Sequence, residues 1–112
     1  MQKITLTHFD NETHGYLMVS VRDLKRLKID PDQFSNFSYF NTTNDCYFLE
    51  EDCDATKLLN ILKNKGYEVS FNDEFVEHTY FDKPEFKRLN NNHKNGAKTL
   101  DEELNAFLRK II

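Results

Sequence analysis

The fold is decided by the stretch Tyr47-Phe48-Leu49-Glu50-Glu51-Asp52-Cys53-Asp54, in which an apolar run gives way to four acids within five residues. Aromatic and large apolar side chains favour a strand before the change. A helical pattern of apolar residues follows over residues 55–65 and stops at Gly66, a residue well suited to the left-handed conformation after a helix. The stretch is therefore predicted to join a buried strand to the best-defined helix of the chain.

Strand-like segments precede this stretch in pairs. Residues 4–9 alternate apolar and polar side chains, and a turn at residues 10–15 separates them from a second apolar segment at residues 16–19. Residues 34–40 and 46–49 surround a polar turn in the same way, and their aromatic side chains occupy both parities. We expect core packing on both faces of this second hairpin, in preference to an exposed ring platform for single-stranded nucleic acid.

Two helices and one further strand complete the predicted core. Ser20, with Asp23 three positions later, resembles a capping box and predicts a helix through about Lys28. Residues 67–72 alternate as a strand, whereas residues 73–82 are assigned to a loop or short helix and residues 84–89 to one or two helical turns. This order predicts an α+β fold with a mainly antiparallel sheet of about four to five strands, two helices on one face and a C-terminal amphipathic helix.

The predicted domain boundaries follow composition. Residues 1–82 are assigned to the α+β core domain, residues 83–98 to a polar, basic linker, and residues 99–112 to the C-terminal amphipathic helix. Thr99 and Glu102 form a capping box at the start of that helix. Its apolar face is predicted to dock on the sheet or to pair with another chain, and docking within the same chain is favoured. The residues assigned to this face are Leu104, Phe107, Leu108 and Ile111.

Charge is unevenly distributed along a chain whose formal net charge is -4. Residues 45–54 contain five acids and no base, whereas residues 83–98 contain five Lys or Arg and a single acid. Most charge runs are solvated surfaces, and Asp52 or Asp54 is expected to cap the helix that follows. The acids assigned to partner binding are Glu50, Glu51, Asp52 and Asp54. The basic residues assigned to nucleic-acid or partner binding are Arg22, Lys25, Arg26, Lys83, Lys87, Arg88, Lys94 and Lys98.

The sequence contains no recognisable catalytic, metal-binding or cofactor-binding motif. The acids lack the pattern of a calcium-binding EF-hand loop, and no two histidines have the i, i+4 spacing of a helical zinc pair. Cys46 and Cys53 do not have a zinc or CxxC spacing and are interpreted as small buried hydrophobic residues in a reducing compartment. We therefore predict a non-catalytic protein without metal or cofactor, located in the cytoplasm and without a membrane span.

Several of these segments together resemble a known group of proteins. The segments are Thr13-His14-Gly15-Tyr16-Leu17, Asp23-Leu24-Lys25, Phe34-Ser35-Asn36-Phe37-Ser38-Tyr39 and Tyr47-Phe48-Leu49-Glu50-Glu51-Asp52-Cys53-Asp54-Ala55. In this order they are similar to short proteins encoded by bacteriophages and other bacterial mobile elements. The resemblance covers about residues 13–62, implies the cytoplasm of a bacterial host as the setting, and transfers no activity to any one residue.

The phage setting implies an interaction protein as the leading hypothesis, because small phage proteins without catalytic motifs often bind and block host machinery, CRISPR effectors included. The expected partner is a host protein or ribonucleoprotein complex, such as an RNA-guided nuclease or its guide RNA, contacted by the basic or the acidic residues. The alternatives are a nucleic-acid-binding regulator and an assembly module that pairs through its C-terminal helix. The oligomeric state is left open.

Overall fold

Six strands form one mixed sheet in the computed structural model, which describes residues 2–89. The strands are β1 Gln2–Asp10, β2 Gly15–Ser20, β3 Tyr39–Asn41, β4 Cys46–Glu50, β5 Tyr67–Phe75 and β6 Phe86–Arg88. The helices are α1 Val21–Leu27 and α2 Asp54–Asn64, and short 3-10 helices span Pro31–Gln33 and Tyr80–Asp82. The strand order is β5-β1-β2-β4-β3-β6, in which β1 and β5 are parallel and the other neighbours are antiparallel.

The α+β class is confirmed, but the predicted sheet of about four to five mainly antiparallel strands is not the observed one. Helix α2 carries the chain from β4 across β2 and β1, so that β5 pairs in parallel with β1 at the far edge. A parallel pair requires such a crossover, which strand periodicity alone does not reveal. The sequence pattern identified a strand at residues 67–72 and missed both its partner and its extension to Phe75.

The C-terminal part of the described chain also differs from its prediction. Residues 84–89 were predicted to be helical, but β6 pairs with β3 there and Leu89 is buried. Strand β6 lies within the range assigned to the linker, so the sheet extends past residue 82. The C-terminal amphipathic helix, with its apolar face, lies outside the described residues.

Both helices pack on one face of the sheet. Leu24 and Leu27 of α1 and Leu58 and Leu62 of α2 are buried there, and α2 also contributes Ala55. The sheet residues of the same cluster include Ile4, Leu6, Leu17, Val19, Tyr47 and Leu49. No helix in residues 2–89 is both long and apolar enough to cross a membrane.

Aromatic side chains pack on the opposite face of the sheet, which we call the aromatic face. Phe81, from the 3-10 helix after β5, lies with its ring centroid 4.4 Å from Tyr16, 5.5 Å from Phe48 and 4.9 Å from Phe86. Tyr39 stacks on the same ring at 5.2 Å. The expected packing on both faces is therefore confirmed for β4, whose five residues are all buried. The chain after β5 covers the rings that a nucleic-acid stacking platform would need to expose.

Local sequence explains where α1 begins and where α2 ends. Ser20 accepts a hydrogen bond from the backbone N of Asp23 at 3.0 Å, which confirms the predicted cap of α1. Gly66 follows α2 with φ 86°, the left-handed conformation that glycine adopts without steric cost. The residue before α2, Cys53, makes no side-chain cap hydrogen bond, so the expected cap by Asp52 or Asp54 is wrong.

Replacing Phe48 with Ala tests the two-sided core. Phe48 is 1 % exposed and touches rings of the aromatic face, so Phe48→Ala is expected to lower the free energy of unfolding by about 3–5 kcal/mol. Phe37→Ala is the matched control, because Phe37 is 60 % exposed and its loss is expected to cost about 0.5 kcal/mol or less. Urea unfolding followed by circular dichroism measures both, and equal losses would contradict the assigned packing.

Candidate functional site

The mixed topology gathers acids at one end of the sheet. Strands β1, β4 and β5 run in the same direction, so their carboxyl ends lie at the same end of the sheet. The acids at these ends, and in the turns that leave them, are Asp10, Glu12, Glu50, Glu51, Asp52, Asp73, Glu74 and Glu77. We call this group the acidic end. Of this group, only residues 50–52 were predicted from the sequence to bind a partner, because the other acids are far apart in the sequence. They lie at one end of the sheet because α2 crosses over and places β5 beside β1.

The four acids predicted to bind a partner separate into a buried and an exposed pair. Glu50 and Asp54 are buried, whereas Glu51 and Asp52 are exposed. The carboxylate of Glu50 accepts a hydrogen bond from the backbone N of Asp52 at 2.9 Å and thereby shapes the turn after β4. Of the predicted set, Glu51 and Asp52 are the acids available to a partner.

Asp54 joins the turn before β3 to the end of β4. Its side chain is 0 % exposed, and Oδ2 accepts hydrogen bonds from the backbone N of Ser35 at 2.9 Å, from Ser35 Oγ at 2.8 Å and from Ser38 Oγ. Ser38 Oγ accepts in turn from the backbone N of Glu50 at 3.0 Å. Lys57 Nζ lies 3.6 Å from Oδ1, an atom without a hydrogen bond from the described residues. Asp54, which was predicted to cap α2, therefore connects the turn before β3 to the end of β4; we call this network the internal anchor.

A histidine lies between two carboxylates of the acidic end. His8 Nε2 is 3.6 Å from Glu51 Oε2, and its Nδ1 is 3.5 Å from Asp73 Oδ1. Gly15 lies directly beneath this contact, since a Cβ atom at that position would clash with the side chains of His8 and Glu51. A larger residue at position 15 would therefore displace the ends of the His8 and Glu51 side chains. The sequence contained no signal for this contact, because His8, Glu51 and Asp73 lie on three separate strands or turns.

An apolar groove of about 270 Å³ continues from this histidine along the helix-bearing face. Its apolar walls are formed by Leu17, Ala55, Leu59 and Phe71, and its rim carries His8, Glu51 and Asp73. Phe71 remains 48 % exposed at its outer side. The acidic end therefore offers an apolar contact surface beside its charges.

A second concavity, of about 370 Å³, opens beside Tyr16. The residues that line it are His14, Tyr16, Phe37, Glu50, Asp52, Cys53 and Arg88. Burial raises the pKa of the Tyr16 hydroxyl to about 12, and the electrostatic effect of nearby Tyr39 adds to the rise. Arg88 donates to the carbonyl of Phe37 at 2.9 Å, and its guanidinium lies 4.1 Å from the ring centroid of Tyr39. Of the residues predicted to bind a partner, the basic Arg88 and the acidic Glu50 and Asp52 therefore line the same cleft.

The predicted basic residues do not share one surface. Arg22, Lys25 and Arg26 belong to α1 on the helix-bearing face, where Arg26 is 3.3 Å from the carboxylate of Asp23. Lys83 lies over the ring of Tyr80 at 4.6 Å on the aromatic face. Lys87 and Arg88 are exposed residues of β6 at the edge of the sheet, whereas Lys94 and Lys98, which were also predicted to bind, lie outside the described residues. The sheet itself separates the α1 group from Lys83.

The chemistry offered by the described residues is electrostatic. No group of three or more His, Cys, Asp or Glu side chains within residues 2–89 has a geometry that could hold a metal ion. Burial and the nearby Asp45 raise the pKa of the Cys46 thiol, which keeps it protonated and poorly nucleophilic near neutral pH. Comparison with models of protein families, with curated proteins and with solved structures finds no match. Surface charge and shape are therefore the features of the described residues that point to a function.

Substitutions at Asp54 and Ser38 test the internal anchor. Asp54→Ala leaves two serine hydroxyls without their acceptor and is expected to cost about 3 kcal/mol of stability, because buried charged networks are strongly coupled. Ser38→Ala is expected to cost about 1–3 kcal/mol. The double variant should lose less than the sum, with a coupling of about 0.5–3 kcal/mol in urea unfolding. Additive losses would show that the two side chains act independently.

The raised pKa of Tyr16 predicts a pH dependence. The folded protein keeps the hydroxyl proton up to about pH 12, whereas an unfolded tyrosine releases it near about pH 10. The contribution of Tyr16 is therefore fully present below pH 10 and falls between about pH 10 and pH 12, by on the order of 2 kcal/mol. When thermal unfolding is measured over this pH range, Tyr16→Phe should not show this part of the loss of stability. Tyr67→Phe, on the helix-bearing face, is the control that should retain it.

Proposed function

We propose that this protein is a non-catalytic interaction protein that docks its acidic end on a basic, nucleic-acid-binding surface of a host protein complex and blocks it. The observation that carries the proposal is the convergence of acids from β1, β4 and β5 at one end of the sheet. CRISPR effectors are the target class to test first, since the segments resembling phage proteins include the turn that carries Glu51 and Asp52.

The spacing of the acidic end supports this target chemistry. Neighbouring strands of a sheet lie about 4.8 Å apart, so the carboxyl ends of β5 and β1 are adjacent and that of β4 lies two strand spacings from β1. These three strand ends therefore group negative charges within about 15 Å across the sheet. Nucleic acids also present closely spaced negative charges, and the proteins that bind them use Lys and Arg to neutralise them. Such a group of carboxylates is complementary to a basic surface that binds phosphates and would raise the association rate with it.

The distribution of basic residues supports a protein target over a nucleic-acid target. The formal net charge of the chain is -4. The basic side chains of α1 and Lys83 lie on opposite faces of the sheet, and Arg26 is paired with Asp23. A phosphate backbone requires a continuous basic path, which these residues do not supply together.

Charge reversal at one exposed acid tests the proposal. Asp52→Lys should weaken inhibition of the target about tenfold or more, because it places a cation on the surface that faces a basic partner. Glu68→Lys is the matched control: it changes the net charge equally, at an exposed residue near the start of β5, and should leave inhibition unchanged. The measurement is plasmid interference in hosts that carry each candidate CRISPR type, with thermal unfolding to confirm that both variants fold. Unchanged immunity in every type would contradict a CRISPR target.

A pull-down from the host lysate identifies the partner independently. The wild-type protein should retain its partner after nuclease treatment, whereas Asp52→Lys should retain much less. Capture that disappears with nuclease and weakens steeply with salt would instead identify a nucleic-acid-binding protein and contradict the proposal.

A further inference from the structure

The outer edge of β5 is long and largely exposed. β5 has nine residues, and among the strands in residues 2–89 its only neighbour is β1. Residues 70–75 are all exposed. In a strand with one neighbour, the backbone groups of alternate residues point away from that neighbour and are free to pair with an added strand.

The two faces of this edge differ in chemistry. Phe71 and Phe75 project to the helix-bearing side, with Asp73 between them on the same side. The two phenylalanines are 48 % and 78 % exposed, and Phe71 lines the apolar groove together with Leu59. The opposite side carries Ser70 and, by the alternation of the strand, Glu74. A strand added here would therefore present apolar side chains to one face and polar side chains to the other.

The negative charge around this edge determines which kind of strand could be added to it. Residues 67–82 contain five acids and no Lys or Arg, and Asp73, Glu74 and Glu77 lie within two positions of the exposed Phe75 in the sequence. A second copy of the same edge would place these acids against their own counterparts, and like charges across a strand pair are destabilising. A basic segment would be attracted instead.

We propose that the edge of β5 over residues 71–75 binds an extended protein segment in which apolar and basic residues alternate. The segment adds a seventh strand to the sheet: its backbone pairs with β5, its apolar side chains contact Phe71, Phe75 and the groove, and its basic side chains meet the acids. This inference deepens the proposed function, because it names the part of a basic partner that would be recognised.

Two peptides separate backbone pairing from charge attraction. The probe is acetyl-Lys-Val-Lys-Val-Lys-Val-Lys-amide, and its control has the same sequence with every backbone nitrogen methylated. Both carry the same charge, but the control cannot donate backbone hydrogen bonds. In titrations of the full-length protein, the probe should bind about tenfold or more tightly than the control, because main-chain hydrogen bonds supply much of the affinity of an added strand.

Amide hydrogen exchange locates the binding. The probe should slow exchange at alternate amides within residues 71–75, where the outward backbone groups lie. Glu74→Lys should weaken probe binding, whereas Glu68→Lys, an equal change of charge near the start of β5, should weaken it much less.

Several results would overturn the inference. They are the absence of probe binding, equal affinity for the two peptides, and protection outside β5. Slow exchange of the same amides in the free protein would show that another segment of the chain or a second copy already occupies the edge. Dilution distinguishes these two, since only pairing between copies is lost on dilution. The target pull-down compares the wild-type protein with Asp52→Lys, whose substitution lies in the turn after β4 and leaves the edge of β5 unchanged, so its result tests the proposed function separately.

Discussion

A single buried carboxylate, that of Asp54, holds together three segments on which the rest of the molecule depends. It accepts hydrogen bonds from Ser35 and Ser38, and Ser38 accepts one from the backbone of Glu50 at the end of β4. A charge removed from water is strongly destabilising unless polar partners replace its hydration. The serine hydroxyls, the backbone N of Ser35 and the ammonium of Lys57 replace it here. The start of α2 is thereby fixed relative to β4, and α2 determines where β5 joins the sheet.

The same geometry that stabilises the core concentrates repulsion at its end. Bringing β1, β4 and β5 into one direction places their terminal acids close together, and mutual repulsion between carboxylates opposes folding. His8, between Glu51 and Asp73, relieves part of this repulsion when it is protonated. A basic partner would relieve the remainder, so binding and the electrostatic stability of the acidic end are favoured by the same interaction. Under the proposed function, the exposed acids, which contribute least to the stability of the isolated fold, are those that would contact the partner.

Local patterns predicted those elements whose causes are local. The cap by Ser20, the end of α2 at Gly66 and the two-sided burial of β4 all follow from residues within a few positions of one another. The parallel pairing of β5 and the position of β6 depend on contacts between distant segments, which periodicity does not encode. Asp54 was misassigned for the same reason: an acid at the start of a helix is usually a cap, and its serine partners lie 16 and 19 positions earlier. The acidic end was only partly found, because most of its members are isolated acids in sequence.

The ladder between β1 and β5 joins two segments that are far apart in the sequence. Thr5 and Ser70 pair although 65 positions separate them, whereas the turn between β1 and β2 closes over only a few residues. Closing a long loop is entropically more demanding than closing a short one, so we expect β5 to pair after the segments between β1 and β5 have assembled. During synthesis, the N-terminal strand therefore leaves the ribosome long before its parallel partner exists. Until then β1 is itself an open edge, and completion of the sheet transfers that exposed edge from β1 to β5.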